Sequence, residues 1–524
     1  MEKIKVLVTD PLEEKGIEIL KNAGFEVDEV GKQSPEKLAE IIKDYDVLIV
    51  RSGTKVPKEV IEKGKKLKII GRAGVGLDNI DVEAATLAGI IVMNAPEGNT
   101  ISAAEHTIAL MMALARNIPS ANNSVKEGKW ERKKFMGTEL YGKILGIVGL
   151  GRIGKRVAEI GKGLGMKIVA YDPYISEEVI RNMGVAVVNL EGVLKQADFL
   201  TFHIPLNDET YHLIGDKEFE MMKDGVFIIN CARGGIIDEE SLLRYIKKGK
   251  VKGAALDVFE KEPPEKNPLL QLDQVIATPH LGASTKEAQT NVAQQLAQQI
   301  VDALQKRIVK NAVNLPALDE KSLEYIRGYL SLGEKIGIFL RQLIDGEIKE
   351  IVLEYSGEII NYDLSLVRAN VIVGLFREEE NVNLVNAPLI VKEKGIKLRE
   401  IRKEKADEFT NLITVEVKNS KKVSVSGTLI REEPRIVEID GFSVEAVPKG
   451  YLLICYNEDK PGIMGHIGTV LGKRGINIAS MTLGRKKKGG PSITVLNLDQ
   501  GIDKEVINKI EEFPAIHSVR LVRI

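Results

Sequence analysis

The sequence predicts a multidomain α/β chain: two parallel-sheet units first, then an α+β segment, then a small α+β unit at the carboxyl end. Three observations carry this. Apolar strand-like runs alternate with helix-period segments up to about residue 285, the βαβ pattern of parallel sheets covered on both faces. A strand, a glycine-rich turn and a helix follow one another at Ile144–Leu164. Beyond residue 317 the pattern changes to shorter β-like runs broken by turn residues.

Residues 1–95 read as the first part of one domain. Lys5–Thr9, Glu26–Val30, Val47–Val50 and Lys68–Gly71 are strand-like, and Pro11–Ala23 and Pro35–Lys43 are helical. Gly71-Arg72-Ala73-Gly74-Val75-Gly76 has the wrong spacing for a pyrophosphate turn and reads as a loop facing a ligand. Residues 96–285 form the second unit, entered through an apolar helix, Ser102–Leu114. Its later strands are Val185–Val188, Phe199–His203, Val226–Asn230, Gly253–Leu256 and Gln274–Ala277. Glu287–Gln305, rich in Gln and Ala, reads as a helix returning to the first domain, which residues 286–316 would complete. Residues 317–447 hold a long helix, Leu323–Ile344, and β segments at Ile413–Val417, Val423–Val425 and Ile436–Ile439, with a hairpin signal at Asp440-Gly441. Residues 450–524 read as strand Tyr451–Tyr456, loop, helix Ile463–Arg474, two further strands and a last helix, Lys504–Phe513.

At 524 residues the chain needs three or four cores. With 74 basic and 75 acidic residues, no overall field draws it to nucleic acid or to an anionic membrane. Only Cys231 and Cys455 occur, which excludes a disulfide scaffold. The start, MEKIKVLVTD, is too charged for a signal peptide, and no run of about 18 apolar residues exists. These features predict a cytoplasmic protein.

The chemistry begins at Gly149-Leu150-Gly151-Arg152-Ile153-Gly154. The three glycines suit a tight turn, close approach to a pyrophosphate and close helix–strand packing, with free N–H groups at the following helix start. Asp172 ends the next strand, 18 residues past Gly154. An acid there accepts from a ribose diol and repels a 2′-phosphate, so NAD is expected rather than NADP. Arg233, in Asn230–Gly235, ends a strand and offers a bidentate fork to a carboxylate. Oxidising a secondary alcohol needs a base. Of six histidines, His280 sits in a loop at a strand's carboxyl end, while His203 precedes a cofactor-lining Ile204-Pro205 turn. Glu262 and Glu260 are both spaced to support the imidazole, and spacing does not separate them. Arg51, Arg72 and Arg132-Lys133-Lys134 are candidate cations for a further anionic group, and Asn99 and Ser102 open a helix facing the cleft.

These stretches, with Asn99–Thr107, Leu256–Pro263 and Pro279–Thr285, resemble the D-isomer-specific 2-hydroxyacid dehydrogenases over nearly the whole chain. The resemblance implies a Rossmann-type NAD domain plus a flavodoxin-like substrate domain. An α+β intervening domain and an ACT (ferredoxin-like βαββαβ) domain would follow. It implies NAD-dependent oxidation of D-3-phosphoglycerate to 3-phosphohydroxypyruvate, the first step of L-serine synthesis. His280 would take the hydroxyl proton, Glu262 support it and Arg233 hold the carboxylate. Cofactor contacts are expected at Gly149, Gly151, Arg152, Ile153, Gly154, Asp172, Cys231, Ala232, Arg233, Asp257, His280 and Gly282. Substrate contacts are expected at Arg51, Arg72, Asn99, Ser102 and Arg233, and no metal is implied. Asp459-Lys460-Pro461-Gly462-Ile463 with Gly475-Ile476-Asn477-Ile478 resembles an amino-acid-binding ACT unit. Asn457, Asp459, Gly462, Ile463 and Asn477 would there hold L-serine as effector. A homotetramer would follow from two-fold pairing at the NAD domain and at the tail. Rival readings are another D-2-hydroxyacid dehydrogenase (glycerate, hydroxypyruvate or lactate), a non-catalytic dinucleotide-sensing protein, and an amino-acid sensor.

Overall fold

The computed structural model describes residues 3–306, 309–316, 320–379, 381–406 and 408–524. The 317 boundary expected between the segment completing the first domain and the third unit falls outside the described residues.

Five parallel strands form the first sheet: β1 (Lys5–Val8), β2 (Glu26–Glu29), β3 (Val47–Val50), β4 (Ile69–Arg72) and β5 (Ile91–Asn94), in the order β2-β1-β3-β4-β5. This is the flavodoxin-like order. The first helix starts at Glu14 rather than Pro11, because Glu13 holds an extended backbone before it. Strand β5 was not read from the sequence. It is short and follows Gly89, whose positive φ of 73° ends the preceding helix. The returning helix runs Lys286–Val301 and closes in a π turn, Asp302–Lys306. Its Val292, Leu296 and Ile300 bury against Val6, Val8 and Ile49. Its alanines allow close approach: a Cβ on Gly16 of the first helix would stand 2.9 Å from Ala293 Cβ. Residues 312–314 lie along β5, with Asn314 Oδ1 accepting from Val92 N at 2.9 Å.

The second sheet holds β6 (Ile144–Val148), β7 (Lys167–Tyr171), β8 (Ala186–Val187), β9 (Phe199–Phe202), β10 (Val226–Asn230), β11 (Val251–Leu256) and β12 (Val275–Ala277). The order β12-β11-β10-β9-β6-β7-β8 reverses direction between β6 and β9. That is the doubly wound Rossmann arrangement, and its switch point lies where Gly149 follows β6 and His203 follows β9.

The third sheet comprises β13 (Glu350–Gly357), β14 (Lys397–Lys403), β15 (Asn411–Lys418), β16 (Lys422–Ile430), β17 (Glu433–Ile439) and β18 (Phe442–Ala446), ordered β14-β13-β15-β16-β17-β18. Only the β13–β14 pair is parallel. The fourth comprises β19 (Tyr451–Glu458), β20 (Ile478–Arg485), β21 (Pro491–Leu498) and β22 (Ile516–Arg523), ordered β20-β21-β19-β22, with helices Ile463–Lys473 and Lys504–Glu511 on one face. This is a βαββαβ unit. Its other face is not solvated. Leu452, Ile454, Ile493, Val495 and Val522 join one core with Phe339, Ile351 and Val425 of the third unit. Gln342 on the long helix, Glu320–Leu343, bonds Arg523 O at 2.9 Å, and Arg520 pairs with Asp345 at 2.7 Å. No helix among the described residues is long and apolar enough to cross a membrane.

Candidate functional site

The turn after β6 is shaped for a pyrophosphate. Gly149 takes φ +96°, and a Cβ there would meet His203 O at 2.6 Å. A Cβ on Gly154 would meet Gly149 O at 2.0 Å, whereas nothing lies within 4 Å of one on Gly151. Gly149 therefore seats the turn against the end of β9, Gly154 closes the turn on itself, and Gly151 leaves open approach. Gly151 caps helix Arg152–Gly163 without any side-chain bond, so its leading N–H groups are free for phosphate oxygens. Ile153 packs into the core beneath, and Arg152 stands exposed, 3.8 Å from Glu97. Asp172 is tied into this frame: Oδ2 accepts from Leu150 N at 2.7 Å, and Oδ1 from Tyr174 N at 2.9 Å and Ile175 N at 3.2 Å. A carboxylate has lone pairs beyond three such bonds, so it can still take a ribose hydroxyl. The residues fit a dinucleotide. Gly154→Ala should raise the NAD dissociation constant by about tenfold or more, since the clash is with backbone. A fluorescence titration checks this, and an unchanged constant would reject the reading of the turn.

His280 and Glu262 meet at the carboxyl ends of β11 and β12. His280 Nδ1 lies 2.8 Å from Glu262 Oε2, and Glu262 Oε1 accepts from Phe259 N at 3.2 Å. The hydrogen bond to Glu262 raises the imidazole pKa, against a smaller opposing effect of burial. Burial alone would raise Glu262, but the bond and charge of His280 hold it below its ordinary value. With Nδ1 committed, Nε2 is the nitrogen left to exchange a proton. The geometry separates the two acids left open by spacing: Glu260 Oε1 instead meets His212 Nε2 at 3.0 Å and Glu239 N at 3.2 Å. Asp238, close to that pair, spends its carboxylate capping a helix through Glu240 N and Ser241 N. His203 is unsuited as a base, because desolvation of its half-buried ring pushes it down to about 3.

Asp257 supports the His280 loop from beneath. It is buried and accepts from Thr278 Oγ1 at 2.6 Å, Leu281 N at 2.7 Å, Gly282 N at 2.8 Å and His106 Nε2 at 3.1 Å. Burial alone would raise this carboxyl, but His106, Thr278 and Leu281 keep it below its usual range. Ser102 Oγ donates to Gly282 O at 2.8 Å, so it braces the loop rather than offering its proton to a substrate. His106 was missed by sequence reasoning. The available signal was its place one helical turn after Ser102, on the same face. Cys231 is half-buried at the end of β10, and burial pushes its thiol up to about 12. Ala232 beside it is buried, and its carbonyl accepts from Arg233 Nη1 at 2.7 Å.

Three arginines gather across the cleft. Arg233 Nε stands 3.2 Å from Asp78. Burial and the adjacent Arg233 push Arg72 down to about 10, with Arg51 adding to the effect. Arg72 Nε is buried with no hydrogen-bond partner among the described residues, as is Asn99 Oδ1. The Gly71–Gly76 loop serves these cations. A Cβ on Gly74 would lie 1.6 Å from Arg72 Nη1, and one on Gly76 2.2 Å from Arg233 Nη2. Its glycines make room for guanidinium groups, in a stretch where the sequence predicts a loop facing a ligand. Lys134 lies elsewhere within the chain: with Phe227, Lys252 and Gln274 it lines a depression at the amino ends of β10–β12, opposite His280.

At the tail, a cavity of about 450 Å³ is lined by Asp459, Lys460, Gly462, Ile463, Arg485 and Lys488, among others. Two of the expected effector contacts are not free to serve it. Asn457 borders the cavity, but its side chain is buried and spent on Ser492 Oγ (2.8 Å), Thr494 Oγ1 (3.1 Å) and Glu458 O (2.9 Å). Asn477 is outside it, donating to Asp499 at 2.7 Å. Asp459 pairs with Arg485 at 2.7 Å.

Residues 108–282 match the D-isomer specific 2-hydroxyacid dehydrogenase NAD-binding domain. Residues 325–440 match the D-3-phosphoglycerate dehydrogenase intervening domain, and 451–515 an ACT domain. The chain is 48% identical to D-3-phosphoglycerate dehydrogenase of Methanocaldococcus jannaschii, covering 99% of this chain and 100% of that one. Identity is 41% to that of Bacillus subtilis, covering 99% of both. Among solved structures, NAD+-bound 3-phosphoglycerate dehydrogenase from Entamoeba histolytica aligns with TM-score 0.51 and 36% identity, covering 60% of this chain and 99% of that one. A glyoxylate reductase from Paecilomyes thermophila aligns with TM-score 0.56 and 31% identity, covering 60% and 99%.

Proposed function

Because the chain belongs to the D-isomer specific 2-hydroxyacid dehydrogenases, and is similar over its full length to the D-3-phosphoglycerate dehydrogenases among them, we propose that it oxidises D-3-phosphoglycerate to 3-phosphohydroxypyruvate. The single observation that carries the substrate is the arginine cluster. A half-buried Arg72, its Nε buried, beside Arg233 and Arg51 concentrates more positive charge than Asp78 and Asp10 offset, and an anion-rich substrate makes that arrangement favourable.

Arg233 grips the C1 carboxylate with its fork, while Arg51 and Arg72 hold the phosphate. NAD, when bound, supplies the hydride acceptor. His280 Nε2 accepts the C2 hydroxyl proton, and Glu262 stabilises the imidazolium that results. Asp257 keeps the His280 loop and a negative charge near the nicotinamide. Asn99 borders the substrate, and Gly149, Gly151, Gly154 and Asp172 hold the dinucleotide. The deciding experiment is the initial rate of NADH formation with D-3-phosphoglycerate beside D-glycerate. A strong preference for the phosphorylated acid is expected; equal or reversed rates would remove it in favour of a general D-2-hydroxyacid dehydrogenase.

The pH dependence has a definite sign. The base must be neutral, and Glu262 raises the His280 pKa. Oxidation kcat/KM should therefore rise with pH through a midpoint above the ordinary imidazole value and then level. In Glu262→Gln that midpoint should move down. A midpoint unmoved by the substitution would separate Glu262 from the base.

The tail cavity binds L-serine as an effector in this reading, through Asp459 and the N–H groups at Gly462 and Ile463. The spent side chain of Asn457 weakens its own place in the contact set. The exposed apolar side chains of Trp130, Met136 and Tyr141 support self-association into a tetramer in the cytoplasm. Calorimetric titration with serine and light scattering test these two points.

A further inference from the structure

The Arg51–Thr54 turn is held from two sides by side chains from elsewhere in the chain. On one side the buried Asp10 carboxylate accepts from Arg51 N at 2.7 Å and Thr54 N at 3.2 Å. On the other, Asn79 Nδ2 donates to Arg51 O at 2.7 Å and Thr54 O at 2.6 Å. The backbone amides and carbonyls of the same two residues are thus fixed at once. Gly53 belongs to this clamp, since a Cβ there would lie 2.5 Å from Asp10 Oδ1. Arg51 Nη1 also reaches Pro11 O at 3.3 Å. The Asn79 backbone is itself anchored, its carbonyl accepting from Val56 N at 2.8 Å. Asn79 directly follows Asp78, whose carboxylate holds Arg233 Nε. Residues 78 and 79 therefore touch the groups at both ends of the cleft, the cation for the carboxylate and the turn bearing a second cation.

We propose that Asn79 is a specificity-positioning residue: it sets the spacing of Arg51 from Arg233, so that the site prefers small 2-hydroxy acids carrying a second anion at the far end. Asp10 is its counterpart on the opposite face of the turn. The inference rests on the proposed grip of the substrate's two anionic ends. Asn79 itself touches no reacting atom. Its loss frees the turn to move, and a cation displaced by about 1 Å loses most of its advantage for an anchored dianion.

The test compares kcat/KM for D-3-phosphoglycerate and D-glycerate in the parent chain, in Asn79→Ala and in Asp10→Asn. The ratio of the two constants should fall roughly tenfold or more in Asn79→Ala, through KM for the phosphorylated acid rather than kcat. Asp10→Asn, which keeps the side-chain volume, should lower the ratio in the same direction and provides the reading if Asn79→Ala does not fold. A parent ratio strongly favouring the phosphorylated acid, with an unchanged ratio in the folded variants, overturns this inference alone. An equal fall with both substrates also overturns it, because that is a general loss of structure. A parent without preference overturns the substrate reading and this inference with it.

Discussion

His280→Asn should lower kcat for alcohol oxidation by about 10²–10⁴-fold while leaving NAD affinity nearly unchanged. Asparagine is the apt replacement. His280 sits at φ +55°, a left-handed conformation that Asn tolerates better than other side chains without the imidazole's basicity. The ring is about half exposed, with a side-chain accessibility of 49%, so removing it costs the fold little. Its one strong bond, to Glu262, leaves a half-buried carboxylate that water can reach. The loop persists because Asp257 holds Leu281 N and Gly282 N, bonds that do not involve the ring. The pH dependence of kcat/KM arising from the imidazole should disappear in the same variant. Steady-state rates across pH, with a parallel NAD titration, check this. A variant retaining parental turnover would end the assignment of His280 as base.

Arg233→Ala should lower kcat/KM by about 10²–10³-fold, mainly through KM. Two effects add. The carboxylate loses its bidentate partner, and Asp78 loses the cation that neutralises it. The residual cleft then presents an uncompensated carboxylate to an anionic substrate. Arg72 should partly offset this, because it stays cationic in the cleft and loses, with Arg233, one of the three effects that depress it. Arg233→Lys keeps the charge without the fork and should fall between parent and Arg233→Ala. Measured KM values for the acid, at saturating NAD, decide. An unchanged KM in Arg233→Ala would move the carboxylate site elsewhere.

What was legible in the sequence was what local spacing encodes. Gly149, Gly151 and Gly154 announce their turn because their spacing is written within six residues, although the carbonyl that excludes a side chain at Gly149 belongs to distant His203, and Arg233 and His280 stand out because they follow strands. Parallel sheets covered on both faces followed from the alternation of strands and helices, whereas the Rossmann and flavodoxin-like orders were implied by the family resemblance. Features set by distant partners were not legible. Asp10 and Asn79 look like ordinary loop polar residues until the fold brings them to Arg51. Asn457 looked like a ligand contact, yet Ser492 and Thr494 on the neighbouring strand β21 saturate it. The helix Ser365–Leu375, apolar on most faces and packed against the long helix, escaped reading because burial on all sides erases the 3.6-residue period. Glu260 and Glu262, two residues apart, differ only in which histidine the fold places before them.

The apolar face of the ACT sheet determines how the chain can be cut and recombined. Leu452, Ile454, Val495 and Val522 share a core with Phe339 and Ile351, so a stop placed before Tyr451 strips solvent exclusion from both partners at once. The smallest exchangeable cassette runs from residue 320 to residue 524, not from 450. Any exchange of this tail must move both units together or resurface the seam. A grafted ACT unit taken alone would carry a sticky sheet into its new host.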